Sequence, residues 1–313
     1  MFLFGIDASI YTAFCKTNKM IKTLDLHFKI KGAIASYLIP SPEGPSLVDC
    51  GPYSTFPRLK EALKENGYTV KDIKNLFLTH IHFDHAGAAW ALAEQGTKIF
   101  LHPRGYKHMH DPTRLYQSAK RIYGDAMETL WGEMHPIPTE ALVEVQDREE
   151  IHFGEHTFQA FYTPGHASHH IAWQLGDQLF TGDVAGCRFQ DGPAVPPCPP
   201  PDIDIELWEQ SIQLMRELQP TALYLAHFGR VNDVSDHLST LEKMLDDWSK
   251  WVRDKAASGL AAKAMIPAFE EYTNQQLWDA GLSADHIKQY QVANPAWQSV
   301  YGLLRYWEKK QMS

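Results

Sequence analysis

Three histidines and a carboxylate fall within six residues in the segment from Thr79 to Gly87. They are His80, His82, Asp84 and His85, in the order H-x-H-x-D-H. Imidazole and carboxylate donors together suit zinc, iron or manganese. A histidine-rich turn without a function is the alternative, but four donors packed this closely favour a transition-metal site.

The flanking residues indicate how such a site would be held. Leu76–Leu78 is an apolar run that predicts a buried strand, and Ala88–Ala93 predicts the start of a helix. The donors therefore lie where a strand ends and a helix begins. From that position several side chains can reach one point.

Three later segments repeat this arrangement. One strand-like run precedes T-P-G-H at His166, a second precedes T-G-D at Asp183, and a third ends at His227. Together the four segments supply seven candidate ligands. A structural metal site closes with four ligands, so seven predict two metal ions with open positions, which is the catalytic pattern.

This motif set resembles that of the metallo-β-lactamase fold hydrolases, and its details are most similar to the glyoxalase II branch. The resemblance covers about residues 22–240 and implies an α/β fold, an αββα four-layer sandwich of two mixed sheets between helices. It implies that the first metal is held by His80, His82 and His166. The second metal would be held by Asp84, His85 and His227, and Asp183 would bridge the two.

The resemblance also implies supporting residues behind the ligands. Asp49 follows the strand-like run Ser46–Val48, and His170 matches a histidine of the glyoxalase II branch. Ser168 lies just past the T-P-G-H motif, and this position favours a supporting role for it as well. One residue departs from the glyoxalase II pattern, because His169 stands where that branch has glycine. This departure leaves the substrate class open.

The mechanism that the resemblance implies needs no serine or cysteine nucleophile. Two divalent transition metals, zinc by first choice with iron or manganese as alternatives, share a hydroxide that attacks a carbonyl carbon. Asp183 fixes the separation of the metals, and Asp84 holds one of them and orients the proton. The expected reaction is hydrolysis of a thioester, a lactone or a related carboxylic ester.

Other chemistries of this fold stay open. The alternatives are a metal-dependent phosphodiesterase or nuclease, an oxidoreductase of the persulfide dioxygenase kind, and a protein that binds metal without catalysis. The full set of seven ligands argues against a one-iron dioxygenase. Turnover of an ester or thioester panel by metal-loaded protein would separate a hydrolase from a metal-binding protein.

The composition agrees with a folded enzyme that acts on a small molecule. The 313 residues are 44% hydrophobic and 21% charged, enough for one large domain plus an appendage. The net charge of −9 disfavours nucleic acid as a partner, since enzymes that act on it usually present a basic surface. We expect no membrane span and no secretory signal. A homodimer is one option for the assembly.

Cysteine usage bears on the compartment. Cys15, Cys50, Cys187 and Cys198 form no C-x-x-C pair. This favours a reducing, cytoplasmic setting without disulfides. For each cysteine, a small buried apolar side chain is the preferred interpretation.

The patterns divide the chain into three parts. Residues 1–21 are an N-terminal extension, residues 22–240 the metallo-β-lactamase-like domain, and residues 241–313 a C-terminal helical extension. Helices are predicted at 57–66, 112–133, 205–218, 234–263, 273–280, 284–291 and 295–311. Strands are predicted at 35–39, 46–49, 76–79, 98–101, 151–153, 157–162, 171–175, 178–180 and 223–227.

Two segments are candidates for the walls of a substrate cleft. Six of the nine residues from Pro193 to Pro201 are proline, which excludes a helix or a central strand. The C-terminal helical extension, referred to below as the tail, holds five of the nine tryptophans. These side chains either pack its helices onto the domain or form an apolar lid over the metals. These are Trp248, Trp251, Trp278, Trp297 and Trp307. Such walls predict a substrate with an apolar portion.

Overall fold

In the computed structural model, which describes residues 20–312, the strands form two six-stranded sheets. In chain order they are β1 (Lys22–Asp25), β2 (Ala35–Ile39), β3 (Ser46–Val48), β4 (Asn75–Phe77), β5 (Lys98–Leu101), β6 (Leu142–Glu144), β7 (Glu150–Phe153), β8 (His156–Tyr162), β9 (Ile171–Leu175), β10 (Gln178–Cys187), β11 (Ala222–His227) and β12 (Gly229–Val231). The first sheet has the order β1-β2-β3-β4-β5-β6, and the second has the order β12-β11-β10-β9-β8-β7.

Eleven α-helices accompany these sheets within residues 20–312. They are α1 (Phe56–Glu65), α2 (Phe83–Ala86), α3 (Ala89–Ala93), α4 (Pro103–His110), α5 (Thr113–Tyr123), α6 (Ala126–Trp131), α7 (Ile205–Glu217), α8 (Val234–Ala257), α9 (Ala262–Asp279), α10 (Ala284–Ala293) and α11 (Ala296–Met312). None of them combines the length and the apolar content that crossing a bilayer requires.

Three hydrophobic clusters separate four layers. Between the sheets, the Phe77 ring stacks on Phe158 with centroids 4.4 Å apart and meets Trp173 edge-on. The other face of the first sheet packs against α1 to α6, and the other face of the second sheet packs against α7 to α11. The predicted αββα architecture with C-terminal helices is therefore confirmed.

Burial on both faces explains why the central strands are apolar throughout. Leu76 and Phe77 are neighbours on β4, yet Leu76 packs in the helical cluster and Phe77 packs between the sheets. Successive side chains of a strand point to opposite faces, so a strand covered on both sides needs apolar residues at every position.

Parallel pairing brings the ends of the candidate ligand strands together. β3, β4 and β5 are parallel neighbours, and β10 is parallel to β11. The residues that follow parallel strands gather at one edge, where a cleft can form. The β10–β11 register shifts between Phe180 and Cys187, and such an irregularity lets Asp183 leave the regular ladder.

Several helix boundaries differ from the sequence prediction. The helix predicted at 112–133 is two helices, because Gly124 has a φ of +54° and interrupts it. The helix predicted at 234–263 ends at Ala257, and the next begins at Ala262 rather than at Thr273. That helix contains Pro267, which in sequence reads as a helix breaker.

Helix α4 has no counterpart among the predicted elements. Pro103 occupies its first turn, and the imidazole of His102 accepts a hydrogen bond from the Arg104 amide. Histidine is not among the usual N-cap residues, so this start carried little sequence signal.

The predicted domain division meets one continuous helix. The boundary between residues 240 and 241 falls inside α8, and the tail helices share a hydrophobic cluster with β10 and β11. Most of the predicted N-terminal extension, residues 1–19, lies outside the described residues. The division into 1–21, 22–240 and 241–313 stays a prediction.

Candidate metal centre

The loop after β4 is anchored from behind by one buried carboxylate. Asp49 accepts hydrogen bonds from the Thr79 amide and hydroxyl, both at 2.8 Å, and from His85 Nδ1 at 2.8 Å. Asp49 has a φ of +54°, and its side chain is almost completely buried. The structure thus places Asp49 where the sequence predicted a supporting carboxylate.

The seven predicted ligands gather into two groups. His80, His82 and His166 form one, and Asp84, His85, Asp183 and His227 form the other; within each, the ligand atoms lie within 4.8 Å of one another. These are the two predicted sets, with Asp183 falling in the second.

Three of these histidines form a hydrogen bond to an oxygen through Nδ1, which turns Nε2 towards the candidate metal position. Nδ1 of His166 bonds to the Pro197 carbonyl, and Nδ1 of His227 bonds to the Ala33 carbonyl, each at 2.8 Å. Nδ1 of His85 bonds to Asp49 in the same way. An Nδ1–H that donates to oxygen fixes the tautomer and leaves the Nε2 lone pair for a metal.

Asp183 faces both groups. Its Oδ2 lies 3.4 Å from His166 Nε2, and its Oδ1 lies 3.3 Å from His85 Nε2 and 3.4 Å from His227 Nε2. One carboxylate oxygen therefore points to each group, which is the geometry that a bridging ligand needs.

The pKa shifts separate the two groups. Burial lowers the pKa of His80 well below its usual value, and it lowers that of His82 to about 4. In the second group, burial opposes the charge of His85, but Asp183, Asp84 and Asp49 together raise its pKa well above the usual value. Neutral imidazoles thus lie on one side, and an excess of carboxylate charge on the other.

Three buried polar atoms of the second group have no hydrogen-bond partner. They are His85 Nε2, Asp183 Oδ1 and His227 Nε2. Buried polar atoms are normally satisfied, and a bound ion is one explanation for a group of exceptions. The donor set, histidine nitrogen with carboxylate oxygen, fits a divalent transition metal. The residues present therefore fit a metal at each group.

The two other predicted supports have different partners. The His170 imidazole contacts the Thr163 hydroxyl at 2.8 Å, and its Nε2 accepts a hydrogen bond from the Asp183 amide at 3.3 Å. His170 thus steadies the backbone of the candidate bridging residue. Ser168 instead donates to Asp202 at 2.6 Å, so it holds the loop that follows His166.

Gly182, in the T-G-D motif, occupies a position with no room for a side chain. Its φ is +47°, and a Cβ there would lie 2.5 Å from the Thr79 hydroxyl and 2.7 Å from His170 Nε2. We expect Gly182→Ala to lower the free energy of unfolding by ~2–4 kcal/mol and to weaken metal retention, because the clash adds to the strained φ.

Gly176 is the matched control for this change. Its φ is +61°, but a Cβ there would meet nothing within 4 Å, so Gly176→Ala should cost only ~1–2 kcal/mol. Denaturant unfolding of both variants measures the difference. Equal losses would show that the contacts of Gly182 with the metal loop do not matter.

A cavity of about 1040 Å³ opens onto the candidate metal centre. His82, Asp84, Asp183 and His227 line one part of it, and four prolines of the Pro-rich segment line another. These prolines are Pro197, Pro199, Pro200 and Pro201. Of the five tail tryptophans only Trp297 is among the lining residues, whereas Trp278 is 49% exposed and Trp248 is buried in the helical cluster.

Much of the cavity wall comes from helices α4 to α6, which hold none of the candidate site residues predicted from the sequence. Helices α4 to α6 contribute Tyr106, Leu115, Ile122, Tyr123 and Trp131. Burial and the charge of Asp84 raise the pKa of Tyr123 to about 12, so its hydroxyl stays protonated beside the acidic group. Strand-end motifs gave no signal for these residues, because helical side chains reach the cavity only through tertiary packing.

Two histidines outside the seven ligands also line the cavity. His169 lies next to the first group, its ring centroid 5.7 Å from that of His82, and burial lowers its pKa to about 3. His108 lines the cavity from α4.

The cysteines of the described range are free and buried. Cys50, Cys187 and Cys198 make no disulfide, and burial raises the pKa of each thiol. They act as small apolar side chains, as expected. Cys15 lies outside the described residues.

Two sheets enclosed by helices, with histidines and aspartates gathered at one edge, define a mixed α/β protein with a candidate divalent-metal centre. A family model described as the metallo-beta-lactamase superfamily matches residues 31–227. The chain belongs to this superfamily, whose members are generally metal-dependent hydrolases.

Two relatives cover part of the chain. It is 32% identical over 172 residues to a metallo-beta-lactamase fold-containing protein of Sulfurisphaera tokodaii, a match that covers 53% of this chain and 65% of that protein. It is 29% identical over 172 residues to a hydroxyacylglutathione hydrolase of Maricaulis maris, covering 51% of this chain and 49% of the relative. The chain therefore spans about half to two thirds of the length of these relatives.

Solved structures share the fold over more of the chain. A metallo-beta-lactamase family protein from Thermus thermophilus matches with a TM-score of 0.65 at 18% identity, covering 93% of this chain and 94% of that one. An archaeal metallo-beta-lactamase superfamily protein from Sulfolobus tokodaii matches with a TM-score of 0.58 at 24% identity, covering 74% and 86%. At these identities the likeness shows the fold alone.

Proposed function

We propose that this protein is a binuclear metal-dependent hydrolase of a thioester, a lactone or a related carboxylic ester. The observation that carries the proposal is the division of the Asp183 oxygens between the two groups. Two divalent ions bound there would polarise a carbonyl and supply an activated water at neutral pH. Zinc is our first choice, and the same donors suit iron or manganese.

The residues of the chain have distinct roles in this proposal. Asp183 holds both metal positions at a fixed separation. Asp84 is the more exposed carboxylate, with 21% of its side chain accessible, and its Oδ2 lies 3.4 Å from His227 Nε2. Its carboxylate borders the cavity, so it can accept a proton from a water beside the substrate. Although burial favours the protonated form, His85 and His227 hold the pKa of Asp84 at about 2, so it is ionised at neutral pH.

The choice of a carboxylic ester or thioester rests on the relatives and the cavity. Several relatives of this chain are named hydroxyacylglutathione hydrolase, a name that denotes hydrolysis of a thioester. Phe28, Ile122, Leu130 and Trp131 give the cavity an apolar wall that suits an acyl or ring group. We therefore propose a small molecule with an apolar portion, and not nucleic acid, as the substrate.

The experiment that tests this function combines metal content with turnover. Protein grown with zinc, iron and manganese available should contain two metal ions per chain by elemental analysis. The same protein should hydrolyse members of a panel of thioesters, lactones and carboxylic esters faster than bis(p-nitrophenyl) phosphate. Two metals without turnover of any of these esters would leave a metal-binding protein, and preference for the phosphodiester would favour the nuclease-like alternative.

The apolar wall gives a further expected result. Burying an acyl chain in the cavity contributes about 25 cal/mol per Å² of apolar surface. A series of thioesters with lengthening acyl chains should therefore show a kcat/KM that rises until the chain fills the cavity. A flat series would show that these walls do not contact the acyl group.

A further inference from the structure

Four cations line the cavity without a carboxylate partner. Lys29, Arg104, Lys107 and Arg114 are lining residues with exposed side chains. In the described part of the chain, none of them forms an ion pair with a carboxylate. Elsewhere other arginines are paired, as Arg58 is with Glu65 and Arg188 with Asp233.

Three of these cations form a cluster on α4 and α5, which we term the cation cluster: Arg104, Lys107 and Arg114. Arg104 and Lys107 are three residues apart on α4 and therefore share a face. Arg114 lies in the first turn of α5. Burial lowers the pKa of the neighbouring His108, and the charges of Lys107 and Arg114 lower it further. Lys107 and Arg114 therefore both lie close to His108.

The cation cluster lies close to the candidate metal centre. Nη1 of Arg104 donates to the Ser168 carbonyl at 3.4 Å, two residues past His166. A substrate bound at the candidate metal centre can therefore reach the cation cluster with a short part of its structure.

Opposing carboxylates are few in this part of the cavity. Apart from Asp84 and Asp183, which belong to the candidate metal centre, Glu144 and Asp202 line it. Asp202 already accepts two hydrogen bonds, from the Ser168 amide and hydroxyl. This wall of the cavity therefore carries more positive than negative charge, although the whole chain has a net charge of −9.

We propose that the substrate is amphiphilic, with its apolar part in the cavity and a phosphate or carboxylate group held by the cation cluster. Arginine binds phosphate and carboxylate with two parallel hydrogen bonds, and lysine adds a mobile point charge. This inference rests on the proposed hydrolase function and narrows its substrate class. It adds a charged side to the mostly apolar cleft that the sequence predicts.

The test compares thioesters of one acyl chain with three thiols of different charge, and it uses added salt and charge-removing variants to separate charge from size. Octanoyl thioesters of coenzyme A, of glutathione and of N-acetylcysteamine present phosphates, carboxylates and no charge, respectively. The intact protein should favour an anionic thioester over the neutral one, and the favoured anion identifies which chemistry the cluster binds. This discrimination in kcat/KM should fall as salt is added, because exposed charges are screened.

The variant Arg104→Gln/Lys107→Gln/Arg114→Gln should reduce that discrimination about tenfold, mainly through KM, in line with electrostatic effects on association. Lys120→Gln/Arg121→Gln is the matched control, because both residues are exposed on α5 and neither lines the cavity. Thermal unfolding of each variant checks that it folds. If the triple variant is unstable, Lys107→Glu alone should lower the discrimination in the same direction.

Two results would overturn the proposal: no preference for an anionic thioester, or an equal loss in the triple variant and the control. If no thioester, lactone or carboxylic ester is hydrolysed, the proposed function fails, but the cation cluster is still tested by calorimetric titration with coenzyme A and with glutathione. Binding that weakens about tenfold in the triple variant alone supports the cluster. Absence of binding, or binding that the variant leaves unchanged, rejects it.

Discussion

Replacing Asp84 with alanine is expected to reduce turnover of the best substrate by at least ~10²-fold, the scale of losing one electrostatic group at a reacting centre. Asp84 borders the cavity and lies beside His85 and His227, so its loss removes both a candidate ligand and the acceptor nearest to the substrate. The fold should persist, because Asp84 lies in the short helix α2 beside the cavity and belongs to none of the three hydrophobic clusters. Steady-state kinetics and thermal unfolding measure the two effects.

Glu144→Ala is the matched control for Asp84. Glu144 is an exposed carboxylate that lines the same cavity but lies outside both groups of candidate ligands. Its replacement should change kcat far less. Near-normal turnover in Asp84→Ala, with metal still bound, would reject the proposed role.

Asp183→Asn is expected to reduce the metal content from two ions per chain to one or none, and to reduce turnover by at least ~10²-fold. Both oxygens of Asp183 face histidine nitrogens at 3.3–3.4 Å, one towards each group. Asparagine keeps the shape of the side chain but has one neutral oxygen, so it cannot offer an anionic donor to both groups. Burial opposes ionisation of Asp183, but the surrounding histidines hold its pKa well below the usual value, so the charge is present at neutral pH.

Elemental analysis of the variant after dialysis measures this effect. Asp191→Asn makes the same chemical change eight residues later on an exposed loop, and it should leave the metal content at the wild-type value. A stoichiometry of two in Asp183→Asn would show that this residue does not join the two sites. A stoichiometry of one in the unaltered protein would reject the binuclear centre itself.

The sequence by itself determined the layered architecture and the membership of the candidate centre. Strand ends are local features, because an apolar run is followed at once by a polar donor. Six of the seven candidate ligands follow or end a strand, whereas Asp183 lies inside β10 where its register with β11 shifts. Parallel pairing then brings these ends to one edge, so that the order of motifs along the chain predicts a cluster in space.

The helix boundaries were less predictable, because local signals compete with packing. Pro267 lies inside α9 although proline disfavours a helix interior, and α9 packs against the second sheet's helical cluster. The start of α4 depends on a histidine cap that propensity does not indicate. In both places tertiary contacts stabilise what the local sequence disfavours.

Only the tertiary structure decided what surrounds the candidate centre. Tyr123 and Trp131 reach the cavity from helices whose sequence carries no catalytic motif, and the tail contributes Trp297 rather than a row of tryptophans. The cation cluster has the same origin, since Arg104 and Arg114 belong to no motif in the sequence and meet only where α4 and α5 line the cavity. A ligand motif is fixed by the geometry of one strand end, whereas a cavity wall depends on how distant helices pack, and that information is spread over the whole chain.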